Sequence, residues 1–202
     1  GLFGIMLIIM ISSELIGEEY TAKTMNILRT TPITSFEILA YRYISAVITT
    51  ISILGIYTIF FYLLVMQFSG IHGILSELEV LVLVLKLIIL QSIAFVGIFC
   101  LFAAITKRAF IISFAYWLLW ENAVPPLSPN IVQKFTITHY LNSVEFDGVN
   151  ELGWGISEST YYLLNSSEDS IATEPLISII ILTFVTFLAL LLGARGISRK
   201  EF

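Results

Sequence analysis

Charged residues are scarce in this sequence. Only 12% of its 202 residues are Asp, Glu, Lys or Arg, whereas 57% are hydrophobic and the mean hydropathy is +0.94. A soluble domain of this length could not bury so much apolar surface, so a lipid bilayer must cover part of it. The composition therefore predicts an all-α membrane protein, a polytopic helical bundle rather than a soluble enzyme.

Cysteine and histidine are nearly absent. The single cysteine, Cys100, lies in an apolar run, which excludes a disulfide framework or a cysteine-based metal site within one chain. The two histidines, His72 and His139, are far apart in sequence, so we expect no metal or acid–base site from them. A membrane-embedded enzyme would need His, Asp or Glu clustered at one depth, and the sequence offers no such cluster.

Apolar runs divide the chain into candidate membrane spans. A helix rises ~1.5 Å per residue and the hydrocarbon core is ~30 Å thick, so about 20 apolar residues are needed to cross it. The candidate spans are residues 44–68, 80–104, 109–120 and 175–192, with a partial one at 1–12. Pro125 and Pro126 end the rather short fourth run. We interpret residues 1–12 as the end of a truncated span, the alternative being a secretory signal.

Basic residues indicate how these spans are oriented. Eight of the ten lysines and arginines fall on one side of the predicted bundle: Lys23, Arg29, Arg42, Lys107, Arg108, Arg195, Arg199 and Lys200. The positive-inside tendency places residues 13–42, residues 105–108 and the carboxyl terminus in the cytoplasm of a plasma-membrane protein. Acids dominate residues 127–174, which we predict to be a small extracellular loop domain. The predicted organisation is membrane helices over 1–126, the loop over 127–174, and the last span with its basic tail over 175–202.

The polar stretch of residues 13–42 interrupts the apolar pattern. Within it, residues 18–31 read as a short amphipathic helix with Glu18 and Glu19 in the first turn and Arg29 in the last, signs that match the helix dipole. Pro32 would end this helix. A second helix can start near Ser35, a candidate N-cap, and continue into the next span. The alternative is an ordinary cytoplasmic loop lying against the lipid headgroups.

The sequence from Glu18 to Thr34 resembles the permease subunits of ABC-2 type transporters. Those proteins show a glutamate, often Gly-Thr, then Leu-x-x-x-Pro with a small or hydroxyl residue, and a basic residue before the third span. The comparable residues here are Glu19, Thr24, Leu28, Pro32, Thr34 and Arg42. Lys23 stands where glycine is usual, and Arg42 where lysine is usual. The family has six spans, of which about five would be present.

The resemblance implies a half-transporter that pairs with a second permease copy and with two ATP-binding subunits, generally to export a substrate. ATP and magnesium would be held by that partner, because no Gly-x-x-x-x-Gly-Lys-Ser/Thr sequence occurs here. Residues 18–31 would be the coupling helix that contacts the ATPase. The expected ATPase-coupling residues are Glu18, Glu19, Lys23, Thr24, Leu28, Arg29 and Pro32.

Four polar residues near the predicted spans are candidates for the substrate pathway. Lys86 either reaches the headgroups with its long stem or faces the pathway and contacts an anionic substrate. Gln91 either bonds a neighbouring helix or lines that pathway. Glu121 and Asn122 follow a short span, where a solvated helix end or a gate would both account for them.

Two classes of function therefore remain in competition at the sequence level. The leading hypothesis is the permease subunit of an ATP-driven exporter, with no catalytic residues, cofactor or metal in this chain. A secondary transporter or channel without nucleotide dependence is the alternative, although the sequence lacks broken spans in corresponding positions. A nucleic-acid partner is not expected, and the apolar composition does not specify the cargo.

Overall fold

A computed structural model describes residues 2–21, 34–69, 77–123, 130–153 and 173–199. Every regular element in these ranges is helical. In chain order they are α1 (Leu2–Thr21), α2 (Ser35–Met66), α3 (Leu78–Ile105), α4 (Ala109–Tyr116), α5 (Asn130–Gln133), α6 (Ile137–Glu151) and α7 (Pro175–Arg199). A 3₁₀ turn, Gln67–Ser69, follows α2, and a π-helix, Trp117–Ala123, directly continues α4. The all-α membrane fold is confirmed.

Among the described residues, three helices are long and apolar enough to cross a membrane. They are Phe36–Met66, Leu78–Ile105 and Pro175–Ile197. The second and third contain the predicted spans 80–104 and 175–192, and the first covers the predicted span 44–68 except for its last two residues. The first helix begins before the predicted limit at residue 44, and the last ends after the predicted limit at residue 192. In both cases polar residues at that end remain helical. The other two predicted spans are shorter: an apolar segment, Phe3–Glu14, lies in α1, and α4 has only 8 residues before the π-helix.

The described residues form two compact units. The first is drawn from Gly1–Thr50, Ser92–Leu118 and Thr183–Phe202, and the second from Ile51–Gln91 and Leu119–Leu182. In the first unit α1 contacts α4, and the later half of α3 supplies more buried core residues than any other described helix. The fully buried core side chains there include Phe95, Val96, Phe99, Cys100 and Ala104.

Small residues bring α3 and α7 close together in the first unit. A Cβ atom placed on Gly97 would lie 2.8 Å from Thr186 Cγ2, and one placed on Gly196 would lie 3.2 Å from Ile105 Cγ1. Both contacts advance in the same direction along the two helices, so α3 and α7 run parallel. Close approach at small residues is the usual way for helices to associate in lipid, where no hydrophobic force drives them together.

Two hydroxyls converge on one backbone carbonyl within this core. The Tyr43 hydroxyl of α2 donates to the Ile93 carbonyl of α3 at 3.2 Å, and the Thr186 hydroxyl of α7 donates to the same oxygen at 3.4 Å. Because hydrocarbon offers no competing partner, such bonds are retained inside a bundle. The three long helices are therefore joined by polar bonds as well as by packing.

Candidate functional site

The predicted coupling segment is only partly described. Helix α1 continues to Thr21, so Glu18 and Glu19 belong to it rather than to a helix that starts at residue 18. The five other expected coupling residues, Lys23, Thr24, Leu28, Arg29 and Pro32, lie outside the described residues. Their contact with an ATPase therefore stays a prediction.

The chain resumes after this segment with a reciprocal cap on α2. The Thr34 hydroxyl accepts from the Glu37 amide at 3.3 Å, while the Glu37 carboxylate accepts from the Thr34 amide at 2.8 Å and from the Thr34 hydroxyl at 2.9 Å. This capping box satisfies amides that a helix start otherwise leaves unpaired. The predicted helix from Ser35 into the following span is confirmed, but the cap prediction was wrong by one residue: Thr34 is the N-cap, because its side chain reaches Glu37.

Lys86 and Gln91 lie in the first half of α3, which belongs to the second unit. Lys86 is exposed on the surface of the chain and Gln91 is half-buried. The exposed neighbours of Lys86 on α3 are aliphatic, namely Val82, Val84 and Ile89. A cation on such a face is costly in hydrocarbon unless it reaches headgroups or an anionic ligand. Both interpretations of Lys86 therefore stay open.

A solvated helix end was one of the two interpretations of Glu121, and it was wrong for this residue. Glu121 is only 2% exposed. Its carboxylate accepts from the amides of Ile137 at 3.1 Å and Thr138 at 2.9 Å, and from the Thr138 hydroxyl at 2.7 Å. Asn122, the next residue, is exposed. No local pattern predicts this role for Glu121, because the residues that it contacts are 16 and 17 positions away.

The π-helix carries a second bond to the same region. Trp120 precedes Glu121 in that π-helix, and its indole Nε1–H donates to the Phe135 carbonyl at 3.4 Å. Two consecutive π-helical side chains thus hold the turn that leads into α6. Single π-helical turns occur often at functional sites.

Helix α6 is bound on the side that faces the rest of the second unit. Its buried residues are Ile137, His139, Ser143 and Val149. Its own N-cap, Thr136, has a hydroxyl that accepts from the His139 amide at 3.3 Å. Near the other end, a Cβ atom placed on Gly148 would overlap Leu83 Cδ1, so the Leu83 side chain packs directly against the α6 backbone at this glycine.

A hydroxyl network joins α6 to the residues before α7. His139 Nε2 lies 3.1 Å from Thr173 Oγ1, the Ser143 hydroxyl donates to the His139 carbonyl at 2.9 Å, and the Thr173 amide donates to the Ser143 hydroxyl at 3.2 Å. Burial lowers the pKa of His139, and the positive charge of Lys134 lowers it further. The imidazole is therefore held neutral within a hydrogen-bonded site. We call Glu121, Thr138, His139, Ser143 and Thr173 together the α6 clamp.

The hydrogen bonds of this site hold α6 in position. Among the residues that the structure describes, no group of three His, Cys, Asp or Glu side chains could hold a metal ion. Both oxygens of Glu121 accept hydrogen bonds from α6. The clamp therefore positions a helix, and sequence reasoning had not identified His139, Ser143 or Thr173 as parts of it.

Comparison with known protein families decides the class of this chain. The family described as ABC-2 family transporter protein matches residues 1–150 of the 202-residue chain. The chain belongs to the ABC-2 transporter family. The match extends from α1 through Glu121 and nearly the whole of α6. As an ABC-2 permease, this chain is a multi-pass membrane component of a transporter. No curated protein and no solved structure matches it significantly.

Proposed function

We propose that this ABC-2 permease forms the translocation pathway of an ATP-driven exporter, together with a second permease copy and two ATP-binding subunits. The observation that carries the proposal is the family match over residues 1–150, which includes the whole segment between α1 and α2. The three membrane-length helices support it, because a pathway for a substrate needs a membrane-spanning scaffold.

Residues 22–33 could transmit a movement of the ATPase to the membrane helices, because a helix lies on either side of this segment. Helix α1 precedes this segment, and α2 begins directly after it as a 32-residue helix without a break. The Thr34–Glu37 capping box fixes the first turn of α2, so a push on the preceding segment would move a stiff helix rather than unwind its end. We propose that residues 18–31, with Pro32, form the ATPase contact.

The orientation follows from the basic residues. We propose that residues 13–42, the turn at 105–108 and the carboxyl terminus face the cytoplasm, and that residues 127–174 face outward across a plasma membrane. Lys107 and Arg108, in the turn between α3 and α4, are both exposed, as a cytoplasmic turn requires. Lys86, Gln91 and Asn122 are proposed to line or flank the pathway, whereas Glu121 contributes through α6.

Co-purification with an ATPase subunit tests the proposal. The test variant reverses two charges, Glu18→Lys with Glu19→Lys, and the matched control reverses one exposed acid on α6, Glu151→Lys. We expect the double reversal to reduce the amount of ATPase retained by about tenfold, because like charges then oppose each other across the contact. The control should retain the ATPase fully.

Two outcomes count against the proposal. Equal retention by the double variant and the control would remove the coupling role from Glu18 and Glu19. Transport by the purified chain in vesicles without any ATPase or nucleotide would instead favour the alternative, a secondary transporter or channel.

A further inference from the structure

The cap that Glu121 places on α6 is additional to a local one. Helix α6 already has a local N-cap in Thr136, whose hydroxyl accepts from the His139 amide. Glu121 adds a second cap from a different element, the π-helix that follows α4. A carboxylate at a helix N-terminus also interacts favourably with the helix dipole. The consequence of this second cap is attachment, because it ties α6 to the π-helical residue Glu121, 16 positions earlier in the chain.

Burial makes this attachment strongly dependent on the position of α6. The Glu121 carboxylate is only 2% exposed, and it accepts three hydrogen bonds from Ile137 and Thr138. If α6 moved by a few ångströms, these bonds would be lost while the charge stayed buried, which is unfavourable. The arrangement therefore resists small displacements of α6.

Two further sets of contacts hold the same helix. Gly148 lies against Leu83 of α3, and His139 and Ser143 bond to Thr173 just before α7. In its observed position α6 therefore covers part of α3 at Leu83, which is half-buried. Lys86, a proposed pathway residue, lies one turn further along α3, since residues three apart are neighbours on a helix.

We propose that Glu121 is a positioning residue of the transport cycle: its carboxylate holds α6 against α3 at Leu83, and its release from α6 accompanies the passage of substrate. This inference rests on the proposed function. Glu121 acts through α6 and does not itself contact the substrate.

Thiol labelling tests whether Glu121 holds α6 in place. With the only cysteine replaced, Cys100→Ala, a reporter cysteine is introduced as Leu83→Cys and treated with a membrane-impermeant thiol reagent in vesicles without ATP. Glu121→Gln keeps the side-chain volume, but its amide nitrogen cannot accept the hydrogen bond that one of the two carboxylate oxygens accepts from Ile137 or Thr138. The matched control, Glu145→Gln, removes the same charge from a half-buried acid of α6 outside the clamp.

We expect Glu121→Gln to label at least about tenfold faster than the parent, because lost charged hydrogen bonds raise the displaced population of α6. Glu145→Gln should label at the parent rate. A Glu121→Gln rate within about twofold of the parent would overturn the positioning role. Should Glu121→Gln not fold, Thr138→Val removes only one donor and should give an intermediate rate, and a parental rate there would equally overturn it.

The link to transport is tested with the permease–ATPase complex. Trapping that complex with ATP and vanadate should raise the labelling of Leu83→Cys in the parent, whereas Glu121→Gln should label fast in both states. This ATP dependence is a signal that a purely structural role would not produce. If the parent complex hydrolyses ATP while its labelling stays constant, the link to transport is wrong. If no ATPase associates with the chain, the proposed function fails, and labelling of the isolated chain still measures what Glu121 does.

Discussion

Gly97 of α3 lies directly against Thr186 of α7: a Cβ atom on Gly97 would be 2.8 Å from Thr186 Cγ2 and 3.4 Å from its Cα. The absence of a side chain at Gly97 thus lets the Thr186 hydroxyl reach the Ile93 carbonyl. Packing and hydrogen bonding between these parallel helices depend on the same glycine.

Enlarging Gly97 should therefore separate α3 from α7. We expect Gly97→Val to destabilise the folded protein by about 1–3 kcal/mol, because the added methyl groups overlap Thr186. The measurement is the thermal unfolding midpoint in detergent micelles. Gly55→Ala is the matched control, since its Cβ would meet only Leu85 Cδ2 at 3.9 Å. A midpoint for Gly97→Val as high as that of the control would contradict the close packing.

Removing the Tyr43 hydroxyl should weaken the bond between α2 and α3. Tyr43→Phe removes the donor to the Ile93 carbonyl, and we expect a loss of about 0.5–1.5 kcal/mol in unfolding free energy. Tyr41→Phe makes the same chemical change on a side chain that is 71% exposed, and should cost less. The comparison of the two variants by unfolding in a denaturing detergent isolates the buried bond. Equal stability of the two would show that the hydroxyl of Tyr43 contributes nothing.

The stability of the capping box at the start of α2 should depend more on Thr34 than on the charge of Glu37. Thr34→Ala removes the side-chain acceptor of the Glu37 amide and should cost about 0.5–2 kcal/mol locally. Glu37→Gln should cost less, because glutamine also serves at this position of a capping box. Amide hydrogen exchange at Glu37 and Ile38 measures both effects. Unchanged protection in Thr34→Ala would rule out the cap as the factor that fixes the start of α2.

The stability of the α6 clamp should fall in mild acid because of His139. The pKa of His139 in the folded protein lies below the usual value of about 6.5, which applies to the unfolded chain. Below about pH 6.5 the unfolded chain therefore binds a proton at this residue more readily than the folded protein does. The contribution of neutral His139 to the free energy of unfolding is fully present above about pH 6.5. It is lost as the pH falls from there toward the lowered pKa. His139→Gln should make the unfolding midpoint less dependent on pH between about 7.5 and 5.5. Identical pH profiles for the two proteins would contradict a buried neutral imidazole.

The positions of the long helices could be predicted from sequence because they depend on local composition. Apolar runs of sufficient length marked α2, α3 and α7, and the candidate N-cap Ser35 placed the start of α2 to within one residue. Pro175 likewise marked the start of α7, as a residue suited to the first helical position. The order of motifs around Pro32 also indicated the ABC-2 family that the comparison shows.

The roles of individual polar residues were less predictable. Glu121 was expected at a hydrated helix end and is instead a buried cap, while His139 gave no local sign of its bond to Thr173. Lys86 remains compatible with either interpretation, because exposure on a membrane helix does not distinguish headgroups from a ligand. Such roles depend on which groups meet in space.

The sequence by itself determined that this protein resides in a membrane, where its long helices lie and which family it belongs to, since apolar run length and motif order are properties of neighbouring residues. The tertiary structure alone decided which polar groups are buried and how they are satisfied. Ile137 meets Glu121 across 16 positions, Thr173 meets His139 across 34, and Thr186 meets Ile93 across 93. A buried polar group must find a partner wherever packing brings one, and packing is a property of the whole chain.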